Sequence, residues 1–184
     1  DRYESYYMLD AKKSSKARLK IVVECYQGVI IEEVEQQLSN YLHANKTFLA
    51  TEAMFDEDVI KNMVYPDVTD DRIFGYLTRL EIHDFIDKNK VKALCSEINK
   101  IEKGLILVIG SGASLVCPDY DLLVYADMAR WEIQQRMRRY EVDNLGVKNR
   151  NTKDWMLLYK QGYFVDWRVC DQLKKQLFED IDFV

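Results

Sequence analysis

The run Leu105-Ile106-Leu107-Val108-Ile109 constrains this chain more than any other stretch. Its apolar residues follow one another without the alternation of a half-exposed strand, so both faces must be buried, as in a parallel sheet covered on each side. The run stops at Gly110-Ser111-Gly112-Ala113, where two glycines permit backbone angles that other residues resist. A second run, Leu122-Leu123-Val124-Tyr125-Ala126, is closed by Asp127. A helical pattern then spans residues 129–140, with Trp131, Ile133, Met137 and Tyr140 apolar and Arg130, Arg136, Arg138 and Arg139 charged. Strand, glycine turn, strand and arginine-rich helix make half of a parallel α/β domain. In open sheets of that class ligands sit in the crevice at the carboxyl ends of the strands, and the candidate site is sought there.

A chain of 184 residues suits one domain with its own core and leaves little room for a second. Hydrophobic residues make up 48% and charged ones 31%, an ordinary globular composition, and 7 Gly with 2 Pro argue against long disordered linkers. The net charge of -5 gives no overall electrostatic reason to bind nucleic acid. The apolar runs are too short to span a bilayer, and the polar start shows no secretion signal. The 4 cysteines, Cys25, Cys95, Cys117 and Cys170, lack the close pairing of a zinc knuckle or redox motif. Cys25 and Cys170 lie in apolar patterns and read as reduced core residues. A cytoplasmic protein that binds neither nucleic acid nor membrane is expected. The sequence starts at Asp1 without a methionine and stops at Val184 just past a helix pattern, which reads as a domain cut from a longer chain.

Residues 1–18 read as an N-terminal arm and residues 19–184 as a single α/β domain. Residues 1–15 are polar with a tyrosine-rich start, and Lys12, Lys13, Lys16, Arg18 and Lys20 read as a solvated lead-in to the first strand, with contact to an anion as the alternative. That strand is expected over residues 19–26, broken at Gln27-Gly28 and followed by a helix over residues 31–41. Residues 47–50 read as a second strand, and residues 56–64 as a short helix ended by Tyr65-Pro66. Thr69-Asp70-Asp71-Arg72 looks like a helix N-cap leading an amphipathic stretch through Ile73, Phe74, Leu77 and Leu80. Phe85, Ile86, Val91, Leu94, Ile98 and Ile101 mark a long helix that delivers the chain to the Gly104 strand. Beyond the arginine helix, residues 143–154 read as a mobile loop. Residues 156–159 and 163–165 are strand-like around Gln161-Gly162, and a closing helix runs through Leu173, Leu177 and Phe178. The order β-α-β-α-α-β-β-α-loop-β-α predicts a three-layer, doubly wound, mainly parallel sheet with helices on both faces.

Strand, glycine turn and helix is an arrangement that cradles phosphate at a helix N-terminus, and Gln27-Gly28 occupies such a turn. The turn lacks the Gly-x-x-x-x-Gly-Lys-Ser/Thr pattern whose lysine and hydroxyl engage phosphates and Mg²⁺. Glu32, Glu33 and Glu35 suit the positive end of the helix dipole and repel an anion there. A strand followed by an arginine-rich helix is similar to the build of P-loop small-molecule kinases, whose arginines neutralise transferring phosphate. Arginines three residues apart converge on one side of a helix, or else form a solvated face while Trp131, Ile133 and Met137 pack the core. The predicted ligand set is therefore Gln27, Gly28, Ser111, Gly112, Arg136, Arg138 and Arg139, around a small anionic metabolite, a nucleotide or a sugar phosphate. Asp121, Asp127 and Asp166 are candidates for Mg²⁺, with strand-end or helix-cap roles as the alternative.

Residues 22–29 (VVECYQGV), 107–116 (LVIGSGASLV), 123–139 (LVYADMARWEIQQRMRR) and 163–174 (YFVDWRVCDQLK) carry a family resemblance. From about residue 19 to the end, the chain resembles the N-terminal region of certain large bacterial class I mannose-6-phosphate isomerases. The resemblance implies a kinase-like domain with a degenerate phosphate loop, placed before a zinc cupin that interconverts mannose 6-phosphate and fructose 6-phosphate. A zinc site needs several converging His, Cys or carboxylate ligands, and this chain has only His43 and His83, far apart. The zinc is therefore expected in the cupin, with no cofactor in this segment unless a Mg-nucleotide binds. Three classes fit. One is a noncatalytic or regulatory domain of sugar-phosphate metabolism that holds a phosphorylated metabolite. Another is a divergent nucleoside or sugar kinase. The last is a structural or oligomerisation domain that contacts the cupin or another subunit. The first and last differ by whether the Gly110-Ser111-Gly112 turn and the arginines share a cleft.

Overall fold

A computed structural model describes residues 16–184, so the predicted arm falls, up to Ser15, outside the described residues. Four strands, β1 (Arg18–Cys25), β2 (Lys46–Leu49), β3 (Gly104–Gly110) and β4 (Leu122–Ala126), form one all-parallel sheet in the order β2-β3-β1-β4. Seven α-helices are described: α1 (Ile31–Leu42), α2 (Glu57–Val68), α3 (Lys88–Asn99), α4 (Ala113–Val116), α5 (Arg130–Arg138), α6 (Trp155–Gln161) and α7 (Trp167–Leu177).

β1 is central, with Val22 in register with Val108 on one side and Leu123 on the other. Every residue from Leu105 to Gly110 is buried, as the unbroken apolar run requires. α1 covers one face, packing Val34 and Leu38 against Ile21, Val23, Leu107 and Ile109. Ile60 and Val64 of α2, Leu94 and Ile98 of α3 and Leu173 of α7 cover the other, against Val22, Ile106, Val108 and Leu123. Each fully buried aliphatic side chain contributes about 1.5–3 kcal/mol, so the two faces supply most of the drive to fold. A third cluster at the carboxyl end of β4 joins Tyr26 and Tyr125 to Ile133 and Met137 of α5, Leu158 of α6 and Trp167 of α7. The result is an α/β domain in which helices flank a four-stranded parallel sheet.

Three expectations are corrected. Residues 156–159 and 163–165 are helical: α6 runs through a π-helical turn, Gly162–Asp166, directly into α7. Their β-branched and aromatic residues read as a strand, but Trp155, Tyr159 and Tyr163 recur every four residues, and Tyr159 and Tyr163 stack at 6.3 Å. Packing along a helix overrides the strand propensity. Residues 69–81 form no helix. Asp71 Oδ1 accepts the backbone N–H of Ile73 and of Phe74, each at 2.7 Å, and the Thr69 hydroxyl donates to the Phe74 carbonyl. The side chains read as a cap instead close a local turn, the usual competition of Asp and Thr with helix. Lastly, α2 does not stop at Tyr65-Pro66 but carries Pro66 in its last turn and ends at Val68.

The edge of β4 is covered by the chain's last residues. The Tyr125 N–H donates to the Phe183 carbonyl at 2.8 Å, and the Leu123 N–H donates to the Asp182 carboxylate at 2.8 Å. Among the described residues no helix is long and apolar enough to cross a membrane. At the start of α3, Asp87 caps the helix, accepting from the Asn89 N–H at 2.7 Å and the Lys90 N–H at 3.4 Å. Asp87→Ala should lower stability by about 1 kcal/mol, read as an earlier urea midpoint with an unchanged slope. An unchanged midpoint would mean that the cap does not hold α3.

Candidate ligand-binding cleft

The chain leaves β1 for α1 on one face of the sheet but leaves β3 for α4 on the other. Between these neighbouring strands the two connections part, which is where an open α/β sheet leaves a crevice. A cleft of about 970 Å³ opens there, walled by residues 26–32 after β1, residues 49–57 after β2, Ser111, and the loop of residues 141–151 between α5 and α6.

That loop, expected to be mobile, is fastened. Asp166 is fully buried and accepts from the Asn144 side-chain amide at 2.6 Å, the Leu145 N–H at 3.2 Å and the Gln161 amide at 3.4 Å. Burial pushes its carboxyl up to about 6, against the pull of these donors. Asn144 also donates to the Leu158 carbonyl at 2.9 Å and accepts from Asn149 at 2.9 Å. Arg150 grips Asp143 through Nε at 2.7 Å and Nη2 at 2.6 Å. Leu145 and Val147 sink into the main core beside Ile60. Polar composition suggested mobility, whereas the polar groups here are spent on one another.

Behind Ser111, away from the cleft lining, a second buried carboxylate decides what the glycine turn can do. Glu24, in the central strand, is 1% exposed. It accepts from the Gly112 N–H at 2.5 Å, the Ser114 N–H at 2.9 Å and the Ser114 hydroxyl at 2.8 Å. Burial pushes its carboxyl up to about 7 even though three donors pull it down. The donors at the start of α4 that a phosphate would use thus already hold a carboxyl group belonging to the chain.

Of the predicted ligand set, Gln27, Gly28 and Ser111 line the cleft, and Gly112 and the three arginines do not. Gln27 is buried, donating to the Asp143 carbonyl at 2.9 Å and accepting from Trp167 Nε1 at 2.9 Å. The Ser111 hydroxyl donates to the Cys25 carbonyl at 2.7 Å. Gly28 has φ +92, and a Cβ there would stand 2.8 Å from Ile133 Cγ1, so close approach of α5 demands glycine. Arg136 donates to the Gly28 carbonyl at 2.9 Å and pairs with Glu132 at 3.1 Å. Arg139 pairs with Glu132 at 3.0 Å and Glu141 at 2.8 Å, while Arg138 lies over the Trp155 ring at 4.8 Å.

The three aspartates do not meet. Asp121, at the amino end of β4, accepts from the Lys20 N–H at 2.7 Å and pairs with Lys16. Asp127, past the carboxyl end of the same strand, pairs with Lys174 at 2.6 Å. Asp166 holds the cleft loop. Among the described residues no group of three or more His, Cys, Asp or Glu side chains is placed to hold a metal ion. His83 sits at the surface 3.3 Å from Glu81, and His43 ends α1 with φ 53.

The cleft is acidic. Six carboxylates, Glu32, Glu52, Asp56, Glu57, Glu141 and Asp143, line it against Lys90, Lys148 and Arg150. Lys90 is engaged by Asp56 at 2.7 Å and the Met54 carbonyl at 2.9 Å, and Arg150 by Asp143. Sequence reasoning passed over Glu24 and the Asn144–Asp166 pair. The single acid inside the apolar run VVECY was the available signal for the first.

A family model described as a domain of unknown function (DUF8485) matches residues 5–184. The chain belongs to that family. A comparison with curated proteins finds no match. Membership of DUF8485 carries no stated activity.

Between about pH 4.5 and about pH 7 folded Glu24 keeps a proton that the unfolded chain releases, so its contribution to stability falls as pH rises through that window. In Glu24→Gln that dependence is gone, and the amide N–H faces a backbone donor at a cost of about 1–3 kcal/mol. Urea unfolding of both proteins should show the wild-type advantage shrinking from pH 5 to pH 7. An advantage that grows with pH would mean that the donors outweigh burial.

Proposed function

We propose that the domain binds a small, uncharged or cationic polar metabolite in the cleft at the carboxyl ends of β1, β2 and β3. The observation that carries this reading is the coincidence of the cleft with the point where the β1 and β3 connections diverge. Its lining argues for the ligand class. The lining holds six carboxylates against three cations, an excess that attracts amine and hydroxyl donors, with Glu52 the one carboxylate of the six in no ion pair among the described residues. A phosphate would meet that excess and only one cation, Lys148, not already engaged by a carboxylate among the described residues. Gly112 and Ser114 are committed to Glu24, and Arg136 and Arg139 to Glu132 and Glu141. This reading keeps the expected binding role and replaces the expected anion. Placed before an isomerase cupin, such a domain would sense a sugar rather than transform it.

A thermal-shift comparison tests the proposal with mannose, fructose, nucleosides and spermidine against mannose 6-phosphate, fructose 6-phosphate and ATP with Mg²⁺. A ligand at 100 times its Kd stabilises the native state by about 2.7 kcal/mol. An unphosphorylated compound should shift the midpoint more than its phosphorylated counterpart, and Asp143→Asn should reduce the shift. A larger shift with sugar phosphate or Mg-nucleotide would overturn the ligand class and favour the phosphate-binding or kinase reading. No shift with any compound would favour a structural domain.

A further inference from the structure

The arginine-rich helix has two flanks, and only one borders the cleft. Glu132, Arg136 and Arg139 turn toward Gly28 and Glu141. Trp131 and Arg138, seven residues apart and so on one helix face, lie on the other flank, and Trp131 is 68% exposed. Beside them Trp155, Tyr159 and Tyr163 form a ladder of rings along α6 and the π-helical turn, with centroids 6.4 and 6.3 Å apart. An arginine caps each end. Arg138 lies over Trp155 at 4.8 Å, and Arg168 lies over Tyr163 at 5.3 Å. Among the described residues neither of these two arginines has a carboxylate partner, in contrast to Arg130, Arg136, Arg139 and Arg150.

A guanidinium stacked on a ring keeps N–H groups for another partner, and two of them can meet a carboxylate in parallel; in Arg168, whose Nε donates to the Tyr163 carbonyl at 3.3 Å, that role falls to the Nη groups. Exposed tryptophan, tyrosine and arginine together are the residues that anchor protein interfaces, where a large ring is buried at small entropic cost. We propose that this face docks an acidic segment of a partner protein, its carboxylates meeting Arg138 and Arg168 and its apolar side chains covering Trp131 and the ring ladder. Charge complementarity selects a peptide over a nucleic acid. Asp154 and Asp171 interrupt the basic face, at the Arg72 and Arg130 pairs, and would oppose a continuous phosphate backbone, whereas separate carboxylates can avoid them. The chain's net charge of -5 also repels acidic peptides elsewhere on the surface, so binding must be local.

Fluorescence anisotropy tests this with a fluorescein-labelled peptide of alternating Glu and Phe, a matching Lys and Phe peptide, and an oligothymidylate. The acidic peptide should bind saturably, about tenfold or more weakly to Arg138→Gln/Arg168→Gln and to Trp131→Ala, and unchanged to Arg139→Gln. Trp131 is exposed, so its replacement spares the fold, which circular dichroism checks for every variant. Equal binding by the folded variants, no binding by wild type, or a preference for the Lys/Phe peptide would overturn the proposal. Tighter binding of the oligothymidylate would overturn it in favour of a single-stranded nucleic-acid platform.

Discussion

A carboxylate buried in the central strand must be given donors or the strand cannot stay where it is. Glu24 obtains them from the turn that follows β3, and much of the carboxyl end of the sheet is arranged to that end. Gly112 takes a positive φ of 84, the Ser111 hydroxyl closes onto the Cys25 carbonyl, and α4 is cut to a single turn. The sheet edge that in other α/β proteins offers backbone donors to a bound anion is here satisfied from within. Recognition in the adjoining cleft is left to side chains.

Asp166 does for the far wall what Glu24 does for the near one. Both are buried carboxylates in which desolvation outweighs hydrogen bonding, and each fixes a segment that has no regular secondary structure or very little. Leaving either without its donors would strand a buried polar group, so the two walls are coupled to the state of two acids that never touch solvent.

The layered parallel sheet was legible because burial on both faces leaves a run of residues such as 105–109 that no other element explains. β4 was legible as a second apolar run, and α1 through the helical spacing of Val34, Leu38 and Leu42. What misled was local chemistry with two uses. Asp71 and Thr69 are cap residues, and they serve equally well to close a turn. Tyr159, Tyr163 and Val165 favour strands until ring stacking at intervals of four decides otherwise. Of the site, the glycines at 28 and 112 were placed at the right end of the sheet, but partner choice was hidden. Sequence shows four arginines on one helix, and only the fold shows which of them face a carboxylate, a carbonyl or a ring.

A parallel sheet of four strands presents an open row of amides along its outer strand, and such a row invites pairing with another chain. Here the latch over β4 is small: Phe183 and Asp182, brought back by the turn in which the Asp180 N–H meets the Leu177 carbonyl. Protection of that margin from self-association therefore rests on the few hydrogen bonds that hold Asp182 and Phe183 against β4.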